Sequence, residues 1–340
     1  MLCARRCASL WSNRTKNEKM KKTIFLIIVI LTINLSLFGQ NKKTKISTID
    51  IDNFWVAYDS LQKTNDKTLQ TKIVQELYLD KASIGLKDFM IAREHSAKRH
   101  LENILKYPKF WISVRPKTLE INSHKKEIEK IMLRFKKLYS NFKQPDVYFT
   151  IGCLNSGGTT TKDKILIGSE IACSDKTTNA FELGNWLQGV FKEQTNVINM
   201  VAHELGHTQQ KNGDSEDDGN SNLLGYCIGE GSCDFISELL LKKPVISPYM
   251  TYGKANEKEL WKLFEKEMLG QETKYWLYNG NDAPNGNADL GYFIGYEICK
   301  SYYNNSKNKK QALKEIIELE YTKENVIKFL EKSKYSEKWK

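Results

Sequence analysis

His203-Glu204-Leu205-Gly206-His207 sets two histidines four residues apart with a glutamate beside the first, in a chain of 340 residues that holds only five histidines. On a helix, positions i and i+4 share a face, so both imidazoles can reach one metal ion, and the glutamate is close enough to work on a water bound to it. A catalytic zinc site ordinarily has three protein ligands and one open position. No histidine follows His207, so a carboxylate is expected as the third ligand. Glu230, in Gly229-Glu230-Gly231-Ser232-Cys233-Asp234, is the best candidate, because its flanking glycines allow close approach to a metal. Asp234 lies one turn on and faces the same way. It is placed to accept a hydrogen bond from the outer N–H of a ligand histidine and so fix its tautomer. Glu238, a further turn along, is the rival ligand.

These residues need two helices. The first is expected over 195–211, capped by Thr195 or Asn196 and ended by Asn212-Gly213. Val197, Ile198, Val201 and Leu205 form its core side, opposite His203 and His207. The second is expected over 224–241. Between them, Asp214 to Asn220 is acidic like the start of a calcium loop, but the twelfth position is Gly225 where such a loop has glutamate, so a solvated loop is expected. Residues 53–143 carry amphipathic helical patterns beginning with Phe54, Trp55, Tyr58 and Leu61, with a break at Gly85. His95, His100 and His124 fall in this part. No pair of them has ligand spacing with a nearby acid, so they are expected as ordinary surface or boundary residues. After Pro145 the pattern changes. Val147 to Ile151 and Lys164 to Gly168 read as a pair of strands joined by the turn-forming stretch Asn155 to Thr160. No G-K-[ST] follows that glycine-rich stretch, so phosphate binding is not expected there. Helices are expected over 256–269 and 287–304, and a single packed terminal helix within 309–334. The fold class is α+β, mostly helical, with a small sheet beside the motif helix. One domain covers 53–334, with a helical part over 53–144 and a catalytic part over 145–334, behind a disordered linker over 40–52.

The net charge of +11 does not point to nucleic acid. Seven basic groups crowd into the first 22 residues against one acid, Glu18, and elsewhere lysines interleave with glutamates, as in Lys125-Lys126-Glu127-Ile128-Glu129-Lys130, the signature of solvated helix faces. Residues 24–38 (IFLIIVILTINLSLF) follow Met20-Lys21-Lys22 and precede Gly39-Gln40, the layout of a secretory signal peptide over about 20–39. Residues 1–19 then read as an upstream extension, with Met20 as an alternative start. Export to the periplasm or beyond is expected, with membrane attachment only through an uncleaved signal anchor. No cysteine closes the apolar run, which argues against a lipid anchor. In an oxidising compartment Cys153 with Cys173, and Cys227 with Cys233, are candidate disulfides, with Cys299 left over. No C-x2-C pair occurs, so zinc held by cysteines is not expected.

The pattern H-E-x-x-H followed by E-x-x-x-D resembles the gluzincin metallopeptidases. Ile151 to Glu170, Ala202 to Gln210, Gly229 to Leu239 and Asp289 to Tyr296 together resemble a family of predicted zinc-dependent proteases of unknown substrate, some exported members of which are related to gliding-motility lipoproteins. The resemblance implies a zinc ion held by His203, His207 and Glu230, with Glu204 as general base. It also implies a strand near Ile165 to Ile167 whose edge pairs with an extended peptide, and Tyr292 or Tyr296, Tyr292 first, as an oxyanion donor. The expected activity is hydrolysis of a peptide or protein substrate. The alternatives are a catalytically silent, zinc-stabilised binding protein of the cell envelope, or an amidase acting on a non-peptide amide.

Overall fold

Ile51, Phe54, Trp55, Tyr58 and Leu61 recur at helical spacing and are all buried, which fixes α1 (Ile49–Leu61) against the core. The computed structural model describes residues 44–161, 163–193, 196–211 and 220–339. The expected signal peptide and the acidic loop over 214–219 lie outside them. Five more helices complete the N-terminal part: α2 (Lys67–Val74), α3 (Ile84–Arg93), α4 (Ala97–Lys106), α5 (Pro108–Leu119) and α6 (Lys125–Leu138). Asp66, Ser83 and Ser96 cap α2, α3 and α4 by accepting first-turn amide hydrogen bonds. The break expected at Gly85 falls ahead of Ser83 instead. Gly85 lies inside α3, and a Cβ there would run into the Tyr148 ring, so its role is close helix–strand approach.

Order begins earlier than the expected linker over 40–52 allows. Ile46–Ser47 form β1, and Asp50 is fully buried, accepting hydrogen bonds from the Ser83 amide (2.8 Å) and hydroxyl (2.5 Å). The polar surroundings of Ile46 hid a two-residue strand. The sheet order is β1-β2-β4-β3, with β2 (Asp146–Thr150), β3 (Gly158–Thr161) and β4 (Lys164–Gly168). β2 runs parallel to both β1 and β4, and β3 runs antiparallel to β4. The expected pair of strands is therefore a parallel pair, and much of the expected turn between them is the edge strand β3. β4, expected as the peptide-pairing edge, is interior, because the short hairpin through residue 163 folds β3 onto its free side.

The remaining helices are α7 (Ser169–Ala172), α8 (Asn185–Glu193), α9 (Val197–His207), α10 (Leu223–Leu241), α11 (Pro248–Ala255), α12 (Glu257–Glu267), α13 (Leu290–Asn305), α14 (Lys309–Ile317) and α15 (Lys323–Ser333). The terminal segment is two helices, not one, since Thr322 caps a new start through the Asn325 amide. Two large apolar cores result, beside a small cluster of Phe89, Tyr148 and Leu166. One joins the N-terminal helices, the sheet and α9; the other gathers α10 to α15. Helix α10 serves both: Ile236 and Leu240 enter the first, and Leu223, Leu224, Cys227, Ile228 and Phe235 the second. Its long contact with α13 is backbone on backbone, for a Cβ on Gly231 would strike the Tyr296 amide nitrogen and one on Gly295 the Cys227 carbonyl. Among the described residues no helix is long and apolar enough to cross a membrane.

Candidate metal centre

Asn196 starts α9 by accepting hydrogen bonds from the Ile198 and Asn199 amides, worth about 1 kcal/mol of helix stability. The helix ends at His207, earlier than residue 211, with Thr208 as its C-cap. Val197, Ile198, Val201 and Leu205 are buried as expected, which leaves His203 and His207 on the side that meets α10. A Cβ on Gly206 would press on Cys233 of α10 at about 3 Å, so the glycine in the motif lets the two helices close up.

This closure brings three donor atoms together. His203 Nε2 and His207 Nε2 lie 3.1 Å apart, and Glu230 Oε2 is 3.3 Å from the first and 3.2 Å from the second. Three corners of a tetrahedron around an ion with ~2.0–2.1 Å bonds stand roughly 3.3 Å apart, so the residues fit a zinc ion held by His203, His207 and Glu230. The electrostatics agree. Burial works against charge on His203 and His207, yet Asp234 beside the first, and Cys233 and Glu230 beside the second, hold both imidazoles well above their usual range. Burial likewise opposes ionisation of Glu230, and the two histidines overcome it and hold its carboxyl well below the usual range. The donor set therefore places negative charge around a point where positive charge is wanted.

The outer atoms are also held. His203 Nδ1 lies 2.8 Å from Asp234 Oδ1, the pairing read from the turn spacing of α10, and the Tyr249 hydroxyl donates to Asp234 Oδ2 at 3.0 Å. His207 Nδ1 lies 2.9 Å from Gln210 Oε1, and the Gln210 amide donates to Gly229 O, Ser232 Oγ and Tyr321 Oη. The Tyr278 hydroxyl donates to Glu230 Oε1 at 2.7 Å from a loop where Tyr278 itself has φ +57°. No site role was expected for Gln210, Tyr249 or Tyr278. Only Gln210 had a signal in the sequence, three residues after His207 and so on the same face. Glu238, the rival ligand, is engaged by the Tyr296 hydroxyl (2.5 Å) and Lys300 (3.1 Å), which also takes Tyr296 away from the centre. Tyr292 packs its ring over His203, centroids 6.0 Å apart, in an aromatic wall with Tyr249 and Tyr278. The glycines beside Glu230 do not serve the approach to a metal. Gly231 serves the crossing with α13, and Gly229 faces the Tyr321 ring at 3.9 Å.

Glu204, within electrostatic reach of His203, His207 and Glu230, also meets the sheet. Its carboxylate lies where a Cβ on Gly158 would be, 2.5 Å away, so β3 passes directly over it. Burial pushes the Glu204 carboxyl up. Arg93 anchors the same strand by donating to Thr159 Oγ1 at 3.0 Å. All five cysteines of the described residues are free thiols. Cys227 and Cys233 are six residues apart on one helix, about 9 Å, beyond the ~7 Å reach of a disulfide.

Fold and site define a mostly helical α+β protein with a small mixed sheet and a buried centre of two histidines and a carboxylate shared by two helices. The chain belongs to the family of the gliding motility protein GldB, whose family model matches residues 39–337. Membership makes it an exported, envelope-associated protein. Neither the curated proteins nor the solved structures provide a match.

Proposed function

We propose that this chain is a zinc-dependent metallopeptidase of the cell envelope, acting in the periplasm or outside the cell. The observation that carries the reading is the triangle of donor atoms on His203, His207 and Glu230 with Glu204 set between it and the edge strand β3. Zinc bound there would polarise a carbonyl and acidify a water molecule. Glu204 accepts the proton of the attacking water and hands it to the leaving nitrogen. β3 offers backbone groups along the free edge of the sheet to an extended peptide laid across the centre. Tyr292, kept protonated by burial and by the charge of Glu230, offers a hydroxyl in the wall above His203 for the developing oxyanion.

The test combines zinc analysis with digestion of a broad peptide library. The wild type should bind zinc and cleave, and Glu204→Gln should keep zinc and lose cleavage by ~1000-fold or more. Full cleavage by that variant would remove the proposed base. Zinc with no cleavage of any peptide would favour the zinc-stabilised binding protein, and turnover of non-peptide amides alone would favour the amidase.

A further inference from the structure

His95 and His100, expected at the surface or boundary, are 8% and 1% exposed. The chain turns twice in quick succession to put them there. α3 stops with Glu94 in the left-handed region (φ +53°), and Ser96 caps α4 two residues later, so His95 and His100 flank one tight corner. Their rings meet edge to face at 5.3 Å and lie among Phe54, Tyr78 and Phe89. Among the described residues neither nitrogen of either ring meets hydrogen-bond geometry with a partner, although the Asn155 side chain lies close enough to His95 to favour its charged form. Four unpaired ring nitrogens are costly to bury, at about 1–3 kcal/mol for each polar group left unsatisfied.

A third donor faces the pair. Cys153 is 4% exposed, and its Sγ and one nitrogen of each imidazole all lie within 4.8 Å of one another. The loop carrying it is fixed on both sides. The Tyr78 hydroxyl donates to Ile151 O, and the buried Glu170 carboxylate accepts hydrogen bonds from the Gly152 and Leu154 amides at 2.8 and 3.1 Å. Leu154 takes a positive φ of +58° in the process. An ion bonded to one sulfur and two nitrogens at ~2.0–2.3 Å needs these atoms roughly 3.5–4 Å apart, a closure that small side-chain rotations supply.

We propose that His95, His100 and Cys153 form a second, enclosed metal site, distinct from the centre on α9 and α10, that takes Cu+ through one thiolate and two imidazole nitrogens. Thiolate and imidazole together select soft ions, Cu+ or Zn2+. Among the described residues no fourth histidine, cysteine or carboxylate joins these three, which suits Cu+, whereas structural zinc is held by four. Charge favours the same ion. Arg93 and Arg99 press positive charge on His95, the buried Glu170 carboxylate presses negative charge on Cys153 against Arg99, and a thiolate with a monovalent ion leaves that balance unchanged. Binding releases one proton, from the Cys153 thiol. The three ligands are dispersed over the chain, so no spacing motif announces them.

The full chain, with zinc on the first centre, is titrated without oxygen with Cu+ held by a competing chelator. One Cu+ per chain should pass to the protein, and copper K-edge absorption should show one sulfur and two nitrogen neighbours. Loss of an outer partner alone costs ~10–100-fold in metal affinity, so Cys153→Ser should lose about 100-fold or more, while Cys173→Ser keeps uptake. No uptake beyond the zinc centre, a copper spectrum without sulfur, or undiminished Cu+ binding by Cys153→Ser would overturn the site. A second Zn2+ lost in Cys153→Ser, with no Cu+ taken, would overturn the choice of ion. The absorption spectrum of the wild type decides the matter alone if Cys153→Ser does not fold.

Discussion

At His203 and His207 one ring nitrogen turns to the shared centre and the other is held from behind, by Asp234 and by Gln210. Asp234 was legible because a helix repeats its face every three to four residues, and the same rule reaches Gln210 from His207. Tyr249 and Tyr278 were not legible, for Tyr278 arrives from an irregular loop and Tyr249 from a helix the sequence pattern did not reveal. The buried pair at His95 and His100 was illegible for a related reason, since its burial is imposed by a corner between two helices and not by a periodic face. Burial pushes His95 down to about 4 and His100 down to about 3. In the metal-free chain these rings stay neutral when folded but take up protons once unfolded, below about 6.5. Stability is therefore complete above that pH and is lost as pH falls toward 3, by about 1.4 kcal/mol for each unit of separation. Urea unfolding in chelator should show His100→Phe, which cannot titrate, gaining on the wild type steadily as pH drops from 6.5 to 4. A constant gap over that range would contradict the assignment.

At the scale of elements, periodicity gave α9, α10 and α13 to within a few residues, because each has an apolar face long enough to count. It failed where an element is short or where partners are remote. β1 has two residues, β3 is mostly threonine, and the parallel pairing of β2 with β4 depends on where the intervening hairpin folds. The glycines of α10 are a case in which residue type was noticed and its purpose mistaken. Gly231 lies against the backbone of α13, so Gly231→Ala should force the helices apart and cost about 3 kcal/mol in chemical denaturation, with a weakened zinc centre because Glu230 is its neighbour. Gly229→Ala has the Tyr321 ring at 3.9 Å and room to spare, so it should be neutral or stabilising by up to about 1 kcal/mol. Equal losses in the two variants would mean that the crossing does not depend on the missing side chain.

For the whole molecule, the expected division at 144/145 is not where the packing divides. The N-terminal helices, the sheet and α9 share one core, α10 to α15 fill the other, and both α10 and α14 enter each, α14 through Leu313 and Ile317 on one side and Ala312 and Ile316 on the other. Hydrophobic pattern marks which residues are buried but not which core they join, so this partition was beyond the sequence. Zinc held by α9 and α10, as proposed, would add a further tie between the cores. Free zinc at about 1000 times its Kd adds roughly 4 kcal/mol to the folded state. Thermal scans should show a large zinc-dependent rise in Tm that chelator reverses and that His203→Ala lacks. Tyr278 gives this centre an unusual transparency. The residue is 52% exposed while its hydroxyl touches the buried Glu230 carboxylate. A nitrating reagent can thus reach the ring from solvent, and the yellow nitrophenolate it leaves would change colour with occupancy of the centre. Under the proposed zinc binding the nitrated chain becomes an optical gauge of metal content, read by titrating zinc into it, and a colour indifferent to zinc would count against zinc at Glu230 or against the Tyr278–Glu230 contact.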